Sequence, residues 1–328
     1  MPKPKVFVAR KIPQRGLIMI QEACQADIWP GDVHPSYEEM LRRVAGMDGL
    51  VSLLTDRVDA GLMDAAGPSL KVISNHAVGV DNIDVEEATR RGIPVGNTPD
   101  ILTDTTADFA FALLLAAARR VVEGDRAVRQ GKWKTWGVIW LLGQDAAGAT
   151  LGIIGFGRIG QAVARRAMGF GMRVLYVDPS TEPEDLPEGL TAAKVELPEL
   201  LAESDFVSLH TPLTDATYHL IDAQALAQMK PNAVLVNTAR GAVVDPEALL
   251  QALSEGVIAF AAIDVTEPEP IPMDSPLLAL DNLIITPHIA SASQETRGLM
   301  AYMAAQNLMA GLRGERLPHC VNPEVYKR

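Results

Sequence analysis

Along this chain, short apolar runs alternate with longer stretches of helical period. In the first hundred residues Lys5–Ala9, Gly49–Leu53, Lys71–Ser74 and Ile93–Val95 read as short strands. Between them Pro13–Ala23, Ser36–Ala45 and Asp84–Arg91 read as helices, and Ser36-x-x-Glu39 offers a capping box for the second. Such alternation predicts a parallel sheet covered by helices. Thr98-Pro99-Asp100 reads as a hinge into a long helix, capped by Thr105, with Phe109 to Val122 as its buried body. From Leu151 the alternation resumes, with strands near 151–155, 173–177, 206–209, 233–236, 259–263 and 283–286. Asp245 as N-cap, Pro246 as first helical residue and Gly256 at the far end bound another helix. Beyond residue 288, Met300, Met303, Ala304, Leu308 and Leu312 form an apolar stripe that reads as core. The whole pattern predicts two α/β domains, each a doubly wound parallel sheet, with the reactive site in the cleft between them.

Composition narrows the class of protein. A chain of 328 residues accommodates about two domains. Its net charge of −12 argues against nucleic acid or an anionic membrane as a partner. A local pocket can still oppose that field and hold a small anion. The two cysteines, Cys24 and Cys320, have no metal-ligand spacing and read as reduced thiols, and no metal site is expected. Met1-Pro-Lys-Pro-Lys leads straight into a strand-like run, unlike a signal peptide. Phe109 to Ala118 is the greasiest segment, yet too short to span a bilayer. A cytoplasmic location is therefore expected.

The most specific local signal is Gly155-Phe156-Gly157-Arg158-Ile159-Gly160. It follows the apolar run Leu151–Ile154 and opens the helical stretch Ile159–Phe170. A second apolar run, Val174–Val177, then delivers Asp178. This is a βαβ unit with a dinucleotide fingerprint in its first turn, the Rossmann arrangement. The glycines permit a tight turn and close approach of a pyrophosphate, which the helix N-terminus attracts. Asp178 is placed to accept hydrogen bonds from the adenosine ribose hydroxyls, so NAD(H) is the expected cofactor. A 2′-phosphate would meet that carboxylate, and Asp178-Pro179-Ser180 lacks an arginine to receive it, so NADH is expected over NADPH.

Three polar features follow strand-like runs further on: Asn237-Thr238-Ala239-Arg240-Gly241, Asp264-Val-Thr-Glu267-Pro-Glu269-Pro, and Thr286-Pro-His288-Ile-Ala290-Ser291. Their positions predict a cluster at the carboxyl ends of the parallel strands, where open α/β sheets bind ligands. An arginine, a carboxylate and a histidine together suit interconversion of 2-oxo and 2-hydroxy acids. Arginine grips a substrate carboxylate and polarises the carbonyl. Histidine exchanges the proton as hydride moves, and the carboxylate orients the imidazole. His76 and His210 lie near the expected cleft but outside the positions suited to proton transfer. His34, His219 and His319 read as surface or structural residues.

These motifs, with Asn75-His-Ala-Val-Gly-Val-Asp-Asn-Ile-Asp84 and Asn97-Thr-Pro-Asp-Ile-Leu-Thr-Asp-Thr-Thr-Ala-Asp108, give a resemblance from Lys3 to the C-terminus. The chain resembles the D-isomer-specific 2-hydroxyacid dehydrogenases, most closely the glyoxylate/hydroxypyruvate reductase branch. The resemblance implies a Rossmann NAD-binding domain over residues 99–288. It also implies a flavodoxin-like substrate-binding domain formed by 1–98 and 289–328. Arg240, Glu269 and His288 correspond to the catalytic three, Glu269 fitting better than Glu267. Cofactor contacts are implied for Thr106, for Gly155 through Gly160, and for Asp178. They are also implied for His210, Thr211, Pro212, Thr238, Ala239, Arg240, Asp264, His288 and Ala290. Substrate contacts are implied for Val78, Gly79, Arg240, His288 and Ser291. A homodimer is implied as well, packed on the Thr105–Val122 helix, with the Trp140 region near the partner subunit's site. Ala290 stands where a glycine is usual, and the Val138–Leu142 stretch is shorter than in several relatives. Two other readings share the fold: an NAD(H)-sensing corepressor, and a phosphoglycerate dehydrogenase without a regulatory domain.

Overall fold

Two separate sets of short parallel strands account for the alternation seen in the sequence. The computed structural model describes residues 2–327, which divide into two compact units. One unit runs up to Leu102 and resumes at Ala292; the other is Thr103–Ser291. The expected boundaries at 98/99 and 288/289 fall slightly earlier. Ile289 and Ala290 stay with the second unit because their N–H groups donate to the Asp264 carboxylate.

The first unit contains β1 (Lys5–Val8), α1 (Gln14–Ala23), β2 (Gln25–Ile28), α2 (Tyr37–Val44), β3 (Gly49–Ser52), α3 (Ala60–Ala66), β4 (Val72–Asn75), α4 (Val85–Arg90) and β5 (Val95–Gly96). Its strands pair in parallel in the order β2-β1-β3-β4-β5, the flavodoxin-like order. Central strands β3 and β4 are buried along their whole length, as sheets covered on both faces require. On one face Phe7, Leu50 and Ile73 pack with Met40, Leu62 and Met63 of α2 and α3. On the other Val6, Val51 and Val72 meet Leu17 and Ile20 of α1, and Ala301, Ala305 and Leu308 from the C-terminal part of the chain. Short polar side chains start the helices: Ser36, Asp59 and Asp84 each accept the N–H three residues on. Only this half of the expected capping box forms, since the Glu39 carboxylate is engaged by Arg42 and Arg43 instead.

The second unit opens with α5 (Thr103–Ala118) and α6 (Val121–Arg129). It continues through β6 (Thr150–Ile154), α7 (Arg158–Gly169), β7 (Arg173–Val177), β8 (Ala193–Lys194), α8 (Leu197–Glu203), β9 (Phe206–Leu209), α9 (Ala223–Gln228), β10 (Val234–Asn237), α10 (Pro246–Glu255), β11 (Phe260–Ile263) and β12 (Leu283–Ile285). Helix α11 (Gln294–Leu312) then returns to the first unit, carrying the stripe Met300–Leu308 that packs there. The seven strands pair in parallel in the order β12-β11-β10-β9-β6-β7-β8. The order reverses between β6 and β9, so their carboxyl ends diverge into a crevice, the usual ligand position in such sheets. Helix α5 starts at Thr103, two residues before the expected cap, and Thr105 lies inside its first turn. Its apolar side is spent within the unit, where Ala110, Phe111, Leu114 and Ala117 pack with α7 and the sheet. It also ends early: Arg120 takes a left-handed conformation with φ 53° and starts α6. The apolar surface left outside lies beyond it, where Trp133, Trp136, Ile139 and Leu142 are exposed. Among the described residues no helix is long and apolar enough to cross a membrane.

Candidate active site

The glycine turn leaves β6 at the point where the strand order reverses. Gly155 has φ 89°, and a Cβ there would lie 2.6 Å from the backbone of His210 and Thr211. Only glycine permits that conformation and lets the turn lie flat against the end of β9. This places the backbone of His210 and Thr211 against the glycine turn. A Cβ on Gly157, by contrast, would meet no atom within 4 Å. That side of the turn, at the N-terminus of α7, therefore has room for a phosphate group against backbone.

Asp178, at the end of β7, is bound more fully than its sequence position suggests. Its Oδ2 accepts the Phe156 N–H at 2.7 Å, and its Oδ1 accepts from the Ser180 N–H, the Ser180 hydroxyl and the Thr181 N–H. Burial alone would raise its pKa, but these donors outweigh it and hold the carboxyl below its ordinary value. The charge at this turn is thus secured, and the carboxylate braces the glycine turn at the same time.

Strands β10, β11 and β12 deliver the three polar features to neighbouring carboxyl ends. Asn237 closes the first: its Nδ2 donates to Arg240 O and its Oδ1 accepts the Ala239 N–H. Within this turn the Thr238 hydroxyl is buried without a hydrogen-bond partner. An orphaned hydroxyl of that kind, on the same sheet as the open glycine turn and the ionised Asp178, fits a dinucleotide. Asp264 is almost fully buried, and its carboxylate accepts from the Thr286 hydroxyl at 2.6 Å and from the N–H groups of Ile289 and Ala290. It therefore shapes the turn that carries His288, a role the sequence did not suggest. Thr106, also buried, lies in the first turn of α5.

His288 and Glu269 meet directly. The imidazole Nδ1 lies 2.6 Å from Glu269 Oε1, so Nδ1 carries the proton toward the carboxylate and Nε2 is the ring nitrogen turned away from it. The Arg240 turn lies against the loop bearing Glu269, because a Cβ on Gly241 would sit 2.0 Å from Thr266 O. Glu267, the other acidic residue of this loop, points elsewhere and accepts from His219 Nε2 at 2.7 Å. That pair was not anticipated. His210 is held neutral by desolvation, with a pKa near 3, and its Nε2 lies 2.8 Å from Ser208 Oγ, so it is no proton donor at neutral pH. Ser291 ends this unit, half-buried.

In the first unit, Val78 and Gly79 follow β4. Asn97 Nδ2 donates to Val78 O at 2.8 Å and Asn75 Nδ2 to Gly79 O at 2.9 Å. Ala77 O likewise accepts the Thr98 N–H, so the peptide planes that carry the Val78 and Gly79 N–H groups are both held, and among the described residues neither N–H donates to a backbone group. Among the described residues, no cluster of three or more histidine, cysteine, aspartate or glutamate side chains could hold a metal ion.

Comparison with known proteins settles the lineage. Residues 111–290 match the family "D-isomer specific 2-hydroxyacid dehydrogenase, NAD binding domain". The chain belongs to this family. It is an NAD-dependent dehydrogenase, and the glycine turn, Asp178 and Thr238 lie within the matched segment. The dehydrogenase is 58% identical over 326 residues to a glyoxylate reductase from Korarchaeum cryptofilum, covering 99% of this chain and 98% of that one. It is 52% identical over 329 residues to a glyoxylate reductase from Thermococcus gammatolerans, with 99% and 98% covered. Among solved structures, a Thermus thermophilus protein superposes with a TM-score of 0.91 at 48% identity, covering 97% of this chain and 99% of that one. An NADPH-dependent glyoxylate/hydroxypyruvate reductase from Sinorhizobium meliloti, solved with NADP and malonate, gives 0.84 at 33% identity with 98% of each chain covered.

Proposed function

We propose that this dehydrogenase reduces glyoxylate, with hydroxypyruvate as a second substrate, to the corresponding 2-hydroxy acid. The observation that carries the reading is the His288–Glu269 pair, 2.6 Å apart, on a loop lying against the Arg240 turn. When bound, the nicotinamide supplies the hydride that adds to the carbonyl carbon. His288 gives the carbonyl oxygen its proton through Nε2, and Glu269 keeps the imidazole oriented and supports its charged form. Arg240 grips the substrate carboxylate with its guanidinium. The fixed amides of Val78 and Gly79 are assigned to the same carboxylate, and Ser291 to the substrate as well. The cofactor is held by Thr106, the turn from Gly155 to Gly160, Asp178, His210 to Pro212, Thr238, Ala239, Asp264 and Ala290.

NADH is the preferred form, because Asp178 offers negative charge where NADPH would bring a phosphate. The enzyme works in the cytoplasm as a homodimer, and the exposed tryptophans 133 and 136 with Ile139 and Leu142 supply an apolar surface for a second copy. The test is steady-state reduction of glyoxylate, hydroxypyruvate, pyruvate and phosphohydroxypyruvate with both nucleotides, alongside His288→Ala. We expect glyoxylate to give the highest kcat/KM and the variant to lose about 10²–10⁴-fold in kcat. Near-normal turnover by folded H288A would overturn the assignment.

A further inference from the structure

The Glu267-Pro268-Glu269-Pro270 loop is mostly exposed from Pro268 onward, yet it carries the carboxylate assigned to orient His288. Within the loop one hydrogen bond, Thr266 Oγ1 to Pro268 O, stiffens the turn. Its link to the rest of the unit on the other side is Glu267, whose Oε2 lies 2.7 Å from His219 Nε2. His219 is itself tied to the arginine turn, its N–H donating to Ala242 O at 2.8 Å, two residues past Arg240. Tyr218 stacks on the imidazole at 4.0 Å between ring centroids, tilted by 16°, which limits its rotation. His219 also has a left-handed backbone, φ 47°, uncommon for a residue with a side chain. Five non-glycine residues among those described share that feature. Two of them, His219 and His288, each hold one carboxylate of the same loop. Backbone strain persists where surrounding contacts over-determine it, and it concentrates at functional sites.

We propose that His219 and Glu267 form a positioning pair that fixes the acidic loop to the Arg240 turn, and thereby sets Glu269 against His288. The proposal rests on the reading of Arg240, Glu269 and His288 given above. His219 touches neither substrate nor nucleotide in this scheme. Its effect passes through the placement of Glu269, so losing it costs turnover rather than nucleotide binding.

The test uses the full-length enzyme with His219→Ala, His219→Gln, Glu267→Leu, Glu269→Gln and the double variant His219→Ala/Glu269→Gln. Each is assayed for glyoxylate reduction, NADH affinity and melting temperature. His219→Ala and Glu267→Leu should lower kcat by about tenfold or more while NADH affinity stays within about twofold. Glutamine at 219 can still present an N–H where Nε2 stood, and should recover most of the loss. Because His219 acts through Glu269, the double variant should be no slower than Glu269→Gln alone, within about twofold. A multiplicative loss in the double variant overturns the proposal, as does His219→Ala with kcat within about twofold of the parent. If Glu269→Gln alone leaves kcat unchanged, the reading of Glu269 fails and this proposal fails with it. Should His219→Ala not fold, Glu267→Leu takes its place, and a kcat within about twofold of the parent in that variant overturns the proposal equally.

Discussion

Asp178 accepts hydrogen bonds from Phe156, Ser180 and Thr181 of its own unit, which gives one residue two separable effects. Replacing it with serine removes the charge that opposes a 2′-phosphate but supplies no cation for it. Asp178→Ser should therefore bring the kcat/KM values for NADH and NADPH closer without reversing them. It should also leave the Phe156 N–H short of an acceptor, costing about 1–3 kcal/mol of stability. Melting temperature and both kcat/KM values check this, and a clear preference for NADPH in the variant would show another cation at that site. Residues of this kind were legible because each follows an apolar run: the glycines, Asp178, Arg240, Glu269 and His288 all sit just past strand ends. The choice of Glu269 over Glu267 was legible only through the family resemblance. His219 was not legible, because its partner lies 48 residues away and no local pattern marks the pair. The bracing role of Asp264 was hidden for the same reason, since its donors belong to the next strand's turn.

Gly241 shows how one element depends on another. A Cβ at this position would lie 2.0 Å from Thr266 O and 2.8 Å from Glu267 N, both backbone atoms that cannot rotate away. Gly241→Ala should therefore push the acidic loop off the arginine turn and lower kcat by about tenfold or more, with NADH affinity little changed. A kcat equal to that of the parent enzyme would mean that the two segments move together without consequence. At this scale the central strands were the most readable feature, because burial on both faces writes a continuous apolar run. Edge strand β2, Gln25–Ile28, escaped because it has only four residues, none of them fully buried, so it writes no apolar run. Helix α3 escaped because it is only seven residues long, between its caps Asp59 and Gly67. The break at Arg120 was invisible for another reason: the apolar run continues through Val121 and Val122, and a single left-handed residue redirects it. That break moves the exposed apolar surface from the predicted helix to the residues beyond it.

At the scale of the whole molecule, each unit keeps a histidine neutral at a cost that depends on pH. His76, in the first unit, is 4% exposed, and neither ring nitrogen makes a well-formed hydrogen bond, the Arg297 backbone lying near enough only to favour the charged ring slightly. Desolvation, aided by the Arg297 charge, lowers its pKa to about 4, while desolvation lowers that of His210 to about 3. Unfolded, both rings titrate near the ordinary value of about 6.5. Above that pH neither state is protonated and the histidines leave stability unaffected by acid. Below it the unfolded chain takes up protons that the folded chain refuses, so stability falls as pH drops from 6.5 toward 4. For His76 the span is about 2.5 pH units, on the order of 3 kcal/mol, a large share of a typical net stability of about 5–15 kcal/mol. His76→Leu removes that titration and breaks no well-formed hydrogen bond, so at pH 7 its melting temperature should match or exceed the parent's. Between pH 6.5 and 4.5 the variant should lose stability less steeply, while His210 and the other groups titrate in both proteins and cancel in the difference. Denaturant unfolding of the two proteins across that range decides the matter. Parallel curves would mean that the folded chain accepts the proton at His76, so that its burial does not contribute to acid sensitivity.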